Sequence, residues 1–564
     1  MVLLRPLSRP VFIVPLSVFL FCWVWVSVAS LIGAADITYV YNDLGRLIAV
    51  VDEAGETAVY QYDAVGNLLT ISRRSSATVS IIAFTPSTGP VGTVVTISGT
   101  GFSSTASQNT VKFRGVMATV TSASATQLVA KVPSGATTGT ISVITPTGSA
   151  TSATSFTVGA KPPTISGFSP TIATVGTAVT LLGTNFDPTP ATNTVRFNVT
   201  PSAVTAGTKT SLATSVPSGG TSGHLSVTTS GGTAVSSEDF FIPPSPYGAA
   251  DVAATGRMTI GGPSKTVTIA LPNKIALILF DGTAGRQISL TLSSTIDLST
   301  VSLYNPDGTT LVGATPVYST GAFIDTHTLP ATGTYTILIA PASPLTGNMT
   351  LTLYAVPDVT GTIAINGSPV TATLSAPGQK ARYTFTGTAG QQVNLGLTNV
   401  SLTSASVSLL RPGGTTLASL SVSSAGGSLD PPLLPTSGTY TILVDPTGTY
   451  TGASTLTLSK DLTGTLTIGA TPKTVTISRP GQNARYTFTG TAGRQVTVRV
   501  TTNTMSCVTV SLLKPGNIAL TSSFSCSASF NLAPQTLPLA GTYTITIDPN
   551  GTTTGSLSLS VTSP

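Results

Sequence analysis

Two short motifs in the second half of the chain keep step with each other, and that constrains the fold more than any other feature. Gly-Thr-Ala-Gly stands at Gly282–Gly285, Gly387–Gly390 and Gly490–Gly493, and Gly-Thr-Tyr-Thr-Ile begins at Gly333, Gly438 and Gly541. Both series advance by 105 and then 103 residues. Motifs that hold a common spacing belong to one folded unit, here copied three times over 251–357, 358–461 and 462–564. Each copy also carries a tight turn (Asn305-Pro306-Asp307-Gly308, Arg411-Pro412-Gly413-Gly414, Lys514-Pro515-Gly516-Asn517) and a Leu-Pro pair at Leu329, Leu434 and Leu537. Short alternating strands between Gly and Pro turns predict β-sandwiches. Tyr383 with Phe385, and Tyr486 with Phe488, sit at period two and are expected to face a core rather than a ligand.

A second duplication, spaced by 84 residues, precedes these copies. Phe84-Thr85-Pro86 answers Phe168-Ser169-Pro170, and Asn109-Thr110-Val111-Lys112-Phe113 answers Asn193-Thr194-Val195-Arg196-Phe197. Val132-Pro133-Ser134-Gly135 likewise answers Val216-Pro217-Ser218-Gly219. The pattern Phe-x-Pro, Gly-Thr-x-Val-Thr, Gly-x-x-Phe, Asn-x-Val-x-Phe resembles the IPT/TIG family over 79–158 and 162–242. That resemblance implies immunoglobulin-like sandwiches of the kind found in bacterial surface receptors, adhesins and spacers. Earlier still, Tyr41-Asn42-Asp43-Leu44-Gly45-Arg46 and Tyr62-Asp63-Ala64-Val65-Gly66-Asn67 resemble two YD (RHS) repeats, within 36–75. Each reads as strand, Gly turn and returning strand, with the Asp placed to bond the turn backbone. The three C-terminal copies resemble the bacterial pre-peptidase C-terminal (PPC) domain through Tyr-x-Phe, Leu-x-x-Pro-x-Gly and Leu-Pro-x-x-Gly-Thr-Tyr-x-Ile. Some relatives in that family bind calcium through Asp-rich turns. Here the turn keeps an acid only at Asp307, with Gly413 and Gly516 in the other copies, so no shared metal site and no cofactor is expected. The expected fold is thus all-β, tandem sandwiches arranged as beads behind a short YD segment.

Residues 1–35 read as an export leader: Arg5 and Arg9, an apolar run from Val11 to Ile32, then Gly33, Ala34 and Ala35. The run is long enough to span a bilayer, so a cleaved signal peptide and an uncleaved signal anchor both fit. The membrane is therefore engaged through this segment alone, if at all. A net charge of +6 raises the question of nucleic acid. Phosphate binding needs clustered Lys and Arg with interleaved aromatics, and none occurs, so nucleic acid is not an expected partner. Outside the leader the cysteines are Cys507 and Cys526. They flank the turn at Pro515-Gly516 nearly symmetrically, which predicts a disulfide across a hairpin in an oxidising compartment.

Only 8% of the residues are charged, and candidate chemistry is correspondingly sparse. His224 corresponds to Thr140 in its sister module, and His327 to Pro432 and Gln535. A general base discarded by its own copies is less economical than a half-exposed strand residue. Asp445 and Asp548 precede Pro, where turn initiation accounts for them. Asp52, Glu53 and Glu56 read as a solvated loop. No Gly-x-Ser-x-Gly, His-Glu-x-x-His or Cys-x-x-Cys is present. No catalytic residue is expected. The chain reads as a non-catalytic bacterial surface or secreted protein for adhesion, interaction or spacing, in the setting of a YD/RHS-type system. Its partner would be an extracellular protein or polysaccharide. A carbohydrate- or matrix-binding protein, or the accessory chain of a secreted enzyme, are the alternatives.

Overall fold

The computed structural model describes residues 37–41, 45–52, 56–63, 65–75 and 77–564. The expected leader lies outside them, as do Asp43 and Glu53 of the motifs above. Among the described residues no helix is long and apolar enough to cross a membrane, and the architecture is all-β. The chain forms two compact units, Met1–Lys161 and Pro162–Pro564.

In the first unit, strands Thr38–Tyr41, Leu47–Val51, Thr57–Tyr62 and Leu68–Arg74 pair in sequence as one antiparallel meander. Asp63 organises the second turn: its Oδ1 accepts the backbone N–H groups of Val65, Gly66 and Asn67 at 3.0, 2.7 and 2.8 Å. Tyr62 donates from its hydroxyl to the Leu47 carbonyl, 2.8 Å away, so the two hairpins brace each other. Residues 80–158 then form a sandwich whose strand Val116–Ala123 runs unbroken from one sheet into the other. In the sister module of the second unit the same stretch is split into Thr200–Ser202 and Val204–Gly207, giving two four-stranded sheets.

The duplicated landmarks have direct packing roles. Buried Asn109 accepts from Ser103 N–H and donates to the Ser103 and Thr105 carbonyls. Asn193 repeats this with Asp187 and Thr189. A side chain that satisfies three backbone groups at once fixes a loop that would otherwise bury unpaired polar atoms. Gly99 and Gly183 lie where a Cβ would strike Phe102 and Phe186 respectively, which explains the Gly-x-x-Phe spacing. Phe113 and Phe84 close on Phe156, as Phe197 and Phe168 close on Phe240.

Each C-terminal repeat pairs a five-stranded sheet with a second sheet, of four strands in the first two repeats and five in the third. In the first repeat the larger sheet runs Val252–Arg257, Ile275–Gly282, Gly333–Pro341, Leu298–Tyr304, Thr310–Tyr318, and the other two repeats keep that order. The two spaced motifs meet on its central strands. Gly282 pairs with Gly333, Gly387 with Gly438 and Gly490 with Gly541. A Cβ on Gly282 would lie 2.5 Å from Leu329 and 2.7 Å from Tyr335, and Gly387 and Gly490 face Leu434–Tyr440 and Leu537–Tyr543 in the same way. The turn prolines Pro306, Pro412 and Pro515 cover the second glycine of each pair. Each tyrosine is fully buried beside a phenylalanine of the neighbouring strand. Its hydroxyl donates four residues back, to the carbonyls of Ala331, Thr436 and Leu539. The common spacing thus records one packed corner: a glycine makes room for a Tyr and a Leu brought in by the second motif. Tyr383, Phe385, Tyr486 and Phe488 are all buried in these cores.

Cys507 and Cys526 lie just outside the paired strands Val508–Lys514 and Ile518–Ser525, with sulfurs 2.00 Å and Cα atoms 4.0 Å apart. The link spans 19 residues. Closing a loop of that length restricts the unfolded chain by about 3 kcal/mol. Ser404 and Ser423 hold these places in the second repeat, so the bond is additional to the fold. C507S/C526S is expected to fold and to lower the unfolding free energy by that amount, read as a fall in the urea midpoint. The oxidised wild type should show no titratable thiol there.

Candidate functional site at the module junctions

The chemistry-bearing side chains of the second unit gather where one module meets the next. The first junction joins residues 163–242 to the first repeat and is mainly apolar. Strand Ile275–Gly282 is buried on both faces: Ala276, Ile278 and Phe280 enter its own core, while Ile275, Leu277 and Leu279 join Phe241, Leu338 and Ala340 in a second cluster, with Ile172 and Tyr247 against it. Around it lie polar contacts. Arg257 donates to both oxygens of Asp239 at 2.9 and 2.6 Å and also pairs with Asp281 at 2.5 Å. Thr334 donates to Asp281 at 2.8 Å. Asn198 donates to the Thr334 carbonyl, and Thr221 to the Pro306 carbonyl, at 2.9 and 2.6 Å.

His224 belongs to this group. Its Nδ1 stands 3.7 Å from Asp239 Oδ1, and its side chain is 32% exposed against 11% for Asp239. The carboxylate is already gripped by Arg257, and no described contact places a nucleophile on the imidazole. His327 is a strand residue whose Nδ1 meets the Asp325 carbonyl at 2.8 Å. Among the described contacts, neither histidine is joined to both a carboxylate and a nucleophile. Asp307, the one acid kept in the Pro turns, accepts from Thr309 N–H and Oγ1 at 2.9 and 2.6 Å, which closes its own turn. Among the described residues, no group of three or more His, Cys, Asp and Glu is arranged to hold a metal ion.

At the second and third junctions a Pro-Gly turn of the later repeat is set against the earlier one. Ser289 donates to the Pro377 carbonyl at 2.5 Å, Thr326 donates to the Gly378 carbonyl, and Gly378 has φ +81° with no room for a Cβ. In the next pair of repeats, Gly396 lies against Pro480-Gly481 so closely that a Cβ on it would stand 2.2 Å from the Pro480 carbonyl oxygen. Behind the turns, Gln379 and Gln482 donate to the Pro357 and Lys460 carbonyls, each at 3.0 Å. Arg382 and Arg485 pair with Asp358 and Asp461 at 2.6 and 2.7 Å. Sequence reasoning missed these contacts. The signal was Pro-Gly-Gln in the second and third copies where the first has Pro272-Asn273-Lys274.

Asp445 and Asp548 stand at the ends of the strands Gly438–Pro446 and Gly541–Pro549, and both face junctions, so a role beyond turn initiation engages them. At the second junction Lys380 binds Asp445 at 2.8 Å and reaches Asp325 at 4.0 Å. At the third, a groove of about 550 Å³ includes Asp430, Asp461, Asn483, Arg485 and Asp548 in its lining. Asn483 and Asn394 donate to Asp430 at 2.8 and 3.1 Å. Burial, reinforced by the charges of Asp430 and Asp461, pushes the Asp548 carboxyl up to about 6. A carboxyl raised from 3.8 to about 6 is more readily protonated in the folded chain than in the unfolded one. Stability is therefore expected to fall as pH rises through that window. D548N should reduce this slope, to which Asp430 and Asp461, also raised by burial, contribute as well, and stabilise the third repeat by about 1 kcal/mol at pH 7, a modest amount because solvent still screens the group. Thermal melts at pH 4.5 and 7 check both.

The comparisons agree with the modular organisation. Residues 80–158 and 163–242 match the IPT/TIG domain, and residues 41–78 match the RHS repeat. No curated protein matches the sequence. Solved structures with local similarity include the plexin A4 extracellular region, domains 1 to 8, at 19% identity, 29% of this chain, 18% of that chain and a TM-score of 0.16. Another is SGBP-B from a xyloglucan utilization locus in Bacteroides uniformis, at 17% identity, 50% of this chain, all of that chain and a TM-score of 0.15. A third is PliG, a periplasmic lysozyme inhibitor of Aeromonas hydrophila, at 19% identity, 18% of this chain, 98% of that one and a TM-score of 0.14. At such scores none of these carries an argument about this chain. What the sequence matches do establish is tandem IPT/TIG domains at 80–158 and 163–242, preceded by an RHS repeat at 41–78.

Proposed function

We propose that this chain is a non-catalytic, exported surface or secreted protein that holds binding surfaces at set distances, in the setting of an RHS-type surface system. The observation that supports this most is the doubly buried strand Ile275–Gly282. An enzyme concentrates perturbed polar groups in a cleft of one module. Here the investment goes into joints, where apolar faces, an Arg–Asp cluster and Pro-Gly turns bind each module to the next. We read the three C-terminal repeats as PPC-like sandwiches serving the same end. Surface proteolysis of intact cells, with mass spectrometry of the released peptides, tests the reading. Peptides from 80–564 are expected in the released fraction. Retention of the whole chain in the cytoplasm, or turnover of a polysaccharide or peptide by the purified chain, contradicts it.

A further inference from the structure

The three repeats fill one structural position in three ways. On neighbouring strands of the larger sheet, the first repeat has Ile275 beside Ala340, the second Lys380 beside Asp445 and the third Asn483 beside Asp548. In the first repeat the pair is apolar and lies in the cluster under Phe241. In the second, the Lys380 ammonium neutralises Asp445 and stands 4.0 Å from Asp325 of the preceding repeat. The third junction retains both acids, Asp548 of the third repeat in the place of Asp445 and Asp430 of the second repeat in that of Asp325, but has lost the cation.

Among the described residues none nearby replaces it. Arg485 is committed to Asp461 at 2.7 Å. Lys460, on the adjoining side of the groove, makes no ion pair with any described carboxylate. Asn483 satisfies one oxygen of Asp430 without supplying charge. Asp461 is only 7% exposed and lines the same groove, its Oδ2 held by Arg485; its Oδ1, like that of its counterpart Asp358 at the second junction, has no hydrogen-bond donor, so the two junctions differ in the cation and not in this acid. The groove is open, and its volume falls in the range of roughly 300–1,000 Å³ usual for small-ligand sites.

We propose that the groove between the second and third repeats binds a lysine side chain of a partner protein, whose ammonium takes between Asp430 and Asp548 the place that Lys380 Nζ holds at the preceding junction. Pro431, Pro432 and Leu433 line the groove and offer an apolar wall for the four methylenes, as long basic side chains require. The carboxylates are not grouped as metal ligands, and an ammonium with three donors suits oxygens approached from several sides. The inference goes beyond the spacing role and does not depend on it.

The full chain is titrated at pH 7.5 with Nα-acetyl-lysine methylamide, followed by calorimetry and by the amide resonances of residues 430, 483 and 548. Saturable binding is expected, at least tenfold weaker for the Nε-acetylated ligand, which lacks the charge. N483K, which restores the sibling's own ammonium, should abolish binding without lowering the melting temperature. D548N should weaken it at least tenfold. At pH 5, where Asp548 is mostly protonated, binding should be weaker than at pH 7.5. Absence of saturable binding overturns the proposal, as does equal binding of the acetylated ligand or binding untouched by N483K. A glucosamine tetramer that binds where the lysine ligand does not would overturn the lysine assignment.

Discussion

Replacing Leu277 and Leu279 by Arg and Thr, the residues at those places in the other two repeats, is expected to free the second IPT/TIG domain from the first repeat and leave both folded. The siblings fold with Arg382 and Thr384, or Arg485 and Thr487, on the outer side of this strand, so the repeat's own core is untouched. The loss falls on the junction. Burying a leucine contributes about 1.5–3 kcal/mol, and the new arginine would lie under Phe241 without a carboxylate arranged for it. We expect L277R/L279T to cost about 4 kcal/mol, seen as a separate, earlier unfolding of 163–242 and as faster amide exchange along Ile275–Gly282.

The third junction admits the opposite manipulation. Gly396 corresponds to Thr291 in the first repeat and Arg499 in the third, so a side chain is compatible with the fold at this place. It is incompatible with docking, because the Pro480 carbonyl oxygen occupies the Cβ position to within 2.2 Å. Neither backbone can retreat alone: Gly481 sits at φ +71° against Gly396 in return. G396T is expected to cost about 3 kcal/mol or more, at the upper end for overpacking because the obstacle is main chain. The third repeat should then unfold apart from the second.

Much of the fold was legible because its determinants are local and repeated. Glycines that admit a Tyr and a Leu, asparagines that tie a loop and Pro turns that cover a glycine recur at fixed intervals, and period-two aromatics place themselves in the core. The junctions were not legible in the same way. They use the outer faces of sandwiches, where a residue's partner lies in another module. Asp445 read as a turn residue because its counter-ion, Lys380, is 65 positions away. The clue available was a difference between copies rather than a motif. Ile275-Ala276-Leu277-Ile278-Leu279-Phe280 is apolar throughout where its sibling alternates, Lys380-Ala381-Arg382-Tyr383-Thr384-Phe385. A strand without a polar side has both faces covered. The lysine groove was less visible still, since Asp430 joins Asn483 and Asp548 only when two repeats dock.

Scanning calorimetry of the full chain, beside L277R/L279T and G396T, tests most directly whether the modules of 163–564 are locked together. A single sandwich of about 100 residues unfolds with roughly 60–80 kcal/mol. The wild type is expected to show a transition whose van't Hoff enthalpy exceeds that of one module, and each variant should split it. A wild-type trace already composed of independent single-module transitions, unchanged by either variant, would contradict the account.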